Sequence, residues 1–363
     1  METVVTLDQI PSYYRNRKVL ITGHTGFKGS WLALWLHSLG AVVRGIALEP
    51  EEDAPLYNQF DGDALVESRI GDIRNFEWLR QEVVDFNPEF IFHLAAQPLV
   101  IQGYANPVYT YETNVMGTVN LLEAIRSLPG TCQVVMITTD KVYENDETGH
   151  AYCEDEKLGG YDPYSASKAC CEIVISSYRN SFFHPHAWAT HKKSIASARA
   201  GNVIGGGDRS KDRIVPDIIR ALEKGCPLVV RNPGSIRPWQ HVLEPLAGYL
   251  QLGASMQNNP VKYAGAYNFG PDIDDVLPVR DLVRKAYGYW GASELVEIPE
   301  AASGMHEAGL LRLNSGKAHT DLGWKPKYRS DEAIRHTIDW YRFSGDSPAE
   351  YSLNQIKSYL NQS

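Results

Sequence analysis

Along the first half of the chain, short β-branched and other apolar runs alternate with stretches whose apolar positions recur at helical spacing. Val19 to Thr22, Ala41 to Ala47, Ser68 to Gly71, Phe90 to Leu94, Gln133 to Thr138 and Ser194 to Ala200 each read as a strand. Between them Gly29 to Leu39 reads as a helix with Trp31, Leu32, Trp35 and Leu36 on its apolar side. A second helix is expected over Val108 to Leu128, and a third starts at Tyr164. Strand, helix, strand in repetition predicts a parallel sheet with helices on both faces. Ligands of such sheets bind beyond the carboxyl ends of the strands, and the polar motifs of this chain fall there.

After Gly201 the character changes. Asn202 to Arg209 is glycine-rich and reads as a loop, and Ile214 to Lys224 as a helix. Arg231 to Trp239 reads as a loop, and Tyr267 to Pro271 as a turn. The expected fold is α/β: a Rossmann-type doubly wound parallel sheet with a smaller, interwoven α/β substrate domain. Residues 1–201 and 238–281 are assigned to the Rossmann part, and 202–237 and 282–363 to the substrate-facing part.

Composition narrows the function classes. A chain of 363 residues is long enough to bury a full core, and 43% hydrophobic with 22% charged residues is ordinary for a globular enzyme. The formal charge of -9, without a basic stripe, argues against nucleic acid as a partner. No stretch is apolar for long enough to span a membrane, and Met1 to Ile10 lacks the apolar core of a secretory signal. Five cysteines in no metal-binding spacing point to reduced thiols, a cytoplasmic setting and no metal.

Gly23, Gly26 and Gly29 stand between the first strand and its helix. Glycines there let the backbone turn tightly and approach a pyrophosphate stabilised by helix N-terminal amides. Lys28 is placed to add charge to the phosphates. Glu49, roughly 20 residues on, would hold a ribose hydroxyl, whereas Arg44 on the same strand would argue for a 2'-phosphate; NAD is the expected cofactor. Asp72, ending the third strand, is placed to meet the adenine. Thr138-Thr139-Asp140-Lys141 ends another apolar run, and Tyr164 and Lys168 follow at one helical turn. Together these pieces describe a nicotinamide enzyme in which a tyrosinate draws a proton from a sugar hydroxyl.

The glycine turn, Phe92-His-Leu-Ala-Ala96, Asn114-Val-x-Gly117-Thr, Thr139-Asp140 and the Tyr164–Lys168 pair resemble the extended short-chain dehydrogenase/reductases acting on nucleotide sugars, over about Arg17 to Tyr328. Gly-His-Thr-Gly-Phe-Lys-Gly-Ser-Trp followed by Thr-Asp-Lys-Val-Tyr looks closest to the 4,6-dehydratases that take CDP-glucose in making bacterial O-antigen dideoxysugars. The resemblance implies that Gly23, His24, Thr25, Gly26, Phe27, Lys28, Gly29, Asp72 and Ile73 bind the cofactor. It adds Leu94, Ala95, Ala96 and Asn114 to that set. It implies Tyr164 as the base at the sugar O4, Thr139 as a hydrogen-bond partner of O4, and Lys168 on the nicotinamide ribose while lowering the tyrosine pKa. A free tyrosine titrates near ~10, so a nearby cation is needed. Arg209, Arg231 and Arg237 would meet the diphosphate, and Asn202 and Asn268 the sugar nucleotide.

A 4,6-dehydratase oxidises C4, eliminates water across C5 and C6, and returns hydride to C6. Elimination needs an acid and a base beyond the tyrosine. Asp140 is the expected acid. Lys141 stands where related dTDP-glucose dehydratases carry Glu, and it reads either as the base at C5 or as a charge paired with Asp140 or Glu144. Rival readings are a nucleotide-sugar 4-epimerase or decarboxylase, another NDP-sugar dehydratase, a non-enzymatic NAD(P) sensor, and a binding scaffold rich in Trp and Tyr. The base of the nucleotide does not follow from spacing or charge. The resemblance also implies a homodimer or dimer of dimers through the Asn114 and Tyr164 helices, where Ile173, Val174 and Ile175 could face either a partner or the sheet.

Overall fold

A computed structural model describes residues 4–50, 55–59, 65–299, 310–343, 345 and 347–362; Met1 to Thr3 of the amino-terminal segment read above lie outside them. The principal sheet comprises β1 (Lys18–Thr22), β2 (Val42–Ala47), β3 (Glu67–Ile70), β4 (Phe90–His93), β5 (Cys132–Ile137), β6 (Lys193–Arg199) and β7 (Ala266–Asn268). Its order is β7-β6-β5-β4-β1-β2-β3, with every neighbouring pair parallel. The first six strands lie within a residue or so of the predicted runs. The seventh falls where a turn was expected, because three residues before Gly270-Pro271 carry almost no strand signal of their own.

The helices between the strands are α1 (Phe27–Ser38), α2 (Phe76–Phe86), α3 (Gly117–Arg126) and α4 (Pro163–Ser181). Beyond β6 come α5 (Ile214–Lys224) and α6 (Leu243–Asn258), and after β7 α7 (Val279–Trp290), α8 (Ser330–Arg342) and α9 (Pro348–Asn361). Alternate strand residues face opposite sides of the sheet. Val19, Ile21, Phe90 and Phe92 pack under α1 and α6, and Leu20, Ile91, Val134 and Met136 under α2, α3 and α4. The helix expected from Val108 is broken instead. Asn106 leaves the helical conformation ahead of Pro107, which disfavours it in the preceding residue, and Glu112–Met116 forms a π turn leading into α3.

A second core joins α5, α7 and α8 with Leu228, Val230 and Trp239. The carboxyl-terminal division differs from the expected one. Trp324, Tyr328, Ile356 and Tyr359 pack with the Rossmann core, because α1 is apolar all round and its outer side is covered by α9, with Trp35 against Tyr359 at 6.0 Å.

Candidate active site

The strand order reverses beside β1, so the crevice of the sheet opens between the ends of β1 and β4. Gly23 there has φ +81°, and a Cβ on it would lie 2.8 Å from the Ala95 nitrogen. A Cβ on Gly29 would lie 1.9 Å from the Gly23 carbonyl. Gly26 caps α1 with no side chain on the first amides of the helix. Bare amides at the N-terminus of a twelve-residue helix, on a turn that only glycine can make, fit the pyrophosphate of a dinucleotide.

The neighbours of this turn divide between crevice and sheet. The His24 ring is buried, with Nε2 2.8 Å from Ser68 Oγ and no room for a side chain at Gly45 beneath it. It pins the turn to β2 and β3 rather than facing the crevice. Thr25 donates to the Leu48 carbonyl. Leu94 and Ala96 line the cavity, while Ala95 backs Gly23. Asp72 accepts from the backbone and guanidinium of Arg74, and Ile73 packs on Gly117. Arg44 is paired with Glu67 across β2 and β3 at 2.9 Å, mid-sheet rather than at the strand end. Asn114, in the π turn, accepts from the Gln97 amide at 2.8 Å and donates to Ser167 Oγ at 2.8 Å. It joins the loop after β4 to α4.

At the end of β5, Thr139 caps a short turn, donating to Asp140 Oδ1 at 2.9 Å and accepting from the Lys141 amide. Asp140 is buried, and a Cβ on Gly201 would fall 1.9 Å from its Oδ2. Asn202, at φ +51°, donates to the same oxygen at 3.4 Å. Asp162 caps α4 through the Ser165 amide, with Pro163 in the first turn, and so sets Tyr164 and Lys168 one turn apart. Lys168 Nζ donates to the Ile137 carbonyl at 3.3 Å. Thr139, Asp140, Lys141, Tyr164 and Lys168 line one cavity of about 330 Å³.

The charges here are set by burial and crowding of cations. Burial pushes the Tyr164 phenol up to about 12, while a hydrogen bond with Thr139 and the charge of Arg213 pull it down. Burial also lowers Lys168, against Cys171 and Glu172. Lys28 is not out at the helix terminus. Its Nζ lies inside the cavity, 3.4 Å from Tyr249 Oη, and burial with Lys168 and Arg213 nearby lowers it to about 7.

At the far end, Asn202, Arg231 and Arg237 line the cavity. Two expected substrate residues are elsewhere. Arg209 forms a double hydrogen bond with Glu223 at 2.8 and 3.0 Å and lies over the Tyr341 ring, outside the lining. Asn268 is buried in the wall, where it accepts from Tyr143 Oη at 2.8 Å and donates to the Tyr152 and Asn314 carbonyls. Sequence reading also passed over Arg213, four residues beyond Arg209 in the loop before α5, which lines the cavity and pairs with Asp208 at 3.2 Å. Its signal was the approach to the first turn of α5, where side chains meet the crevice. Among the described residues no group of three His, Cys, Asp or Glu is placed to hold a metal ion, and no helix is long and apolar enough to cross a membrane.

Comparison with known proteins matches residues 20–337 to a family described as GDP-mannose 4,6 dehydratase. The CDP-glucose 4,6-dehydratase of Salmonella typhimurium is 45% identical over 354 residues, covering 96% of this chain and 98% of the relative. Among solved structures, the dTDP-glucose 4,6-dehydratase of Streptomyces venezuelae, with NAD bound, superposes with TM-score 0.76 at 24% identity, covering 90% of this chain and 97% of the other. The UDP-glucose 4-epimerase of Thermus thermophilus, also in complex with NAD, gives 0.74 at 25% identity over 90% of this chain and 100% of that one.

Proposed function

The chain belongs to the GDP-mannose 4,6 dehydratase family, and from that premise we propose that it converts CDP-glucose to CDP-4-keto-6-deoxyglucose and water. One observation carries the reaction type: the cavity holds two proton-transferring sets, Tyr164 with Thr139 and Lys168, and Asp140 with Lys141. An epimerase needs only the first. The CDP-glucose 4,6-dehydratase at 45% identity supports the choice of substrate.

The glycine turn, with Leu94 and Ala96, would hold NAD, its pyrophosphate on the amides of α1 and its ribose near Lys168. NAD, when bound, supplies the hydride acceptor at C4 and the donor at C6, so the reaction is redox-neutral. Tyr164 as phenolate takes the O4 proton, and Arg213 and Thr139 are the groups that favour that form against burial. Asp140, buried and held by Thr139 and Asn202, gives its proton to the departing 6-hydroxyl. Lys141 takes the C5 proton, made acidic by the C4 ketone. Arg231 and Arg237 hold the diphosphate through planar forks.

The product is the type of sugar nucleotide consumed in making O-antigen deoxysugars, and we assign the enzyme to that route in the cytoplasm, with its five free cysteines reduced. Exposed Val108, Tyr111, Met116 and Ile173 form an apolar face beside α4, which supports a homodimer, while Ile175 packs into the core.

Incubation of the chain and NAD with CDP-, dTDP-, UDP- and GDP-glucose, read by mass spectrometry, tests the reading. Loss of one water from CDP-glucose is expected; a mass-neutral change, or no change with any sugar, rejects it. Lys141→Met is expected to stop exchange of the C5 proton with solvent, and unchanged exchange would reduce Lys141 to a structural charge.

A further inference from the structure

Behind the reactive loop lies an ion pair sealed from solvent. Glu172 sits one turn beyond Lys168 on α4 and Arg199 ends β6; their side chains, 3% and 4% exposed, meet at 2.8 Å. Thr138 and Ser197 hydroxyls both donate to Glu172. The other arm of Arg199 donates to Tyr143 Oη at 2.7 Å and to the Glu154 carbonyl at 3.0 Å. Thr138 immediately precedes Thr139, and Tyr143 follows Lys141 by two residues. The pair therefore grips both ends of the segment that carries Thr139, Asp140 and Lys141, and holds it to the helix that carries Tyr164 and Lys168.

Stability alone does not account for this arrangement. Taking two charges out of water is costly, and replacing such pairs with apolar residues of similar volume is often neutral or stabilising. What apolar residues would lose is the fork that fixes three elements at once.

We propose that Glu172 and Arg199 are positioning residues, which set the Asp140–Lys141 segment against Tyr164 and Lys168 for the elimination. The inference rests on the dehydratase reading above. Glu172 also places a carboxylate one turn from Lys168 and favours its charged form. Besides Glu172, the titratable groups around Lys168 are Tyr164 and Cys171 on α4, His93 on β4, Lys28 on α1, and Asp140 and Lys141 on the loop.

Three variants test it: Glu172→Gln, Arg199→Lys, and the double change Glu172→Leu with Arg199→Met, which leaves no unpaired buried charge if a single change fails to fold. In variants that melt cooperatively, kcat for CDP-glucose is expected to fall on the order of 10²-fold, the penalty of a small misplacement, with KM nearly unchanged. In Glu172→Gln the alkaline limb of kcat is expected to move to lower pH, because Lys168 loses its proton sooner. A folded double variant with wild-type kcat, or an unmoved alkaline limb, would overturn the proposal. An unmodified chain inactive on every sugar nucleotide would instead retract the dehydratase reading.

Discussion

Tyr164 works against its surroundings: burial lifts the phenol, Thr139 and Arg213 pull against that rise, and the balance stands at about 12. Tyr164→Phe removes the proposed base and leaves the glycine turn intact. Turnover is expected to fall by on the order of 10²–10⁴-fold, with cofactor affinity near normal by fluorescence titration; activity within a few-fold of wild type would reject the base. Arg213→Gln removes the cation that lowers the phenol, so the tyrosine pKa rises and the acidic limb of kcat moves to higher pH, as a pH–rate profile would record. Residue scale is also where sequence reading was least secure. Arg209 and Arg213 stand four residues apart in the loop before α5, yet one pairs with Glu223 and the other lines the cavity. Asn268 has the composition of a ligand contact, yet Tyr143 and two carbonyls use up its amide.

Elements were more legible than single side chains. Parallel strands buried on both faces are written as near-continuous apolar runs, as in β1, β4 and β5, and six of the seven strands appear in the sequence to within a residue or so, the half-exposed edge strand β3 among them. The π turn at Glu112–Met116 has no such signature, since its apolar spacing passes for an ordinary helix. The joint between β6 and the loop after it packs against Asp140, the acid of the proposed elimination. Gly201 has room for no side chain, because a Cβ there would overlap the Asp140 carboxylate at 1.9 Å. Gly201→Ala is expected to displace Asp140 and cost on the order of 10²-fold in kcat while the chain still melts cooperatively. Full activity would show that Asp140 needs no fixed position.

At the scale of the molecule, one carboxylate holds the carboxyl-terminal segments on the Rossmann core. Glu244 of α6 accepts from the Lys327 and Tyr328 amides and from Tyr359 Oη of α9. Burial raises it from 4.5 to about 7. A group raised in the folded state stabilises below its unfolded pKa and loses that contribution as pH climbs through the folded value. The thermal midpoint should therefore decline between about pH 4.5 and 7 through this residue, and Glu244→Gln should flatten the decline; an unchanged slope would show that Glu244 does not set it. The domain division read from the sequence could not show this, because contacts between α1, α6 and α9 lie far apart along the chain.

The claim on which the rest depends is that one cavity oxidises C4, eliminates water and returns the same hydrogen to C6. CDP-glucose deuterated at C4, followed by mass and nuclear magnetic resonance spectra of the product, measures it directly. Loss of one water with the deuterium at C6 is expected. Deuterium that remains at C4 without loss of water would contradict it.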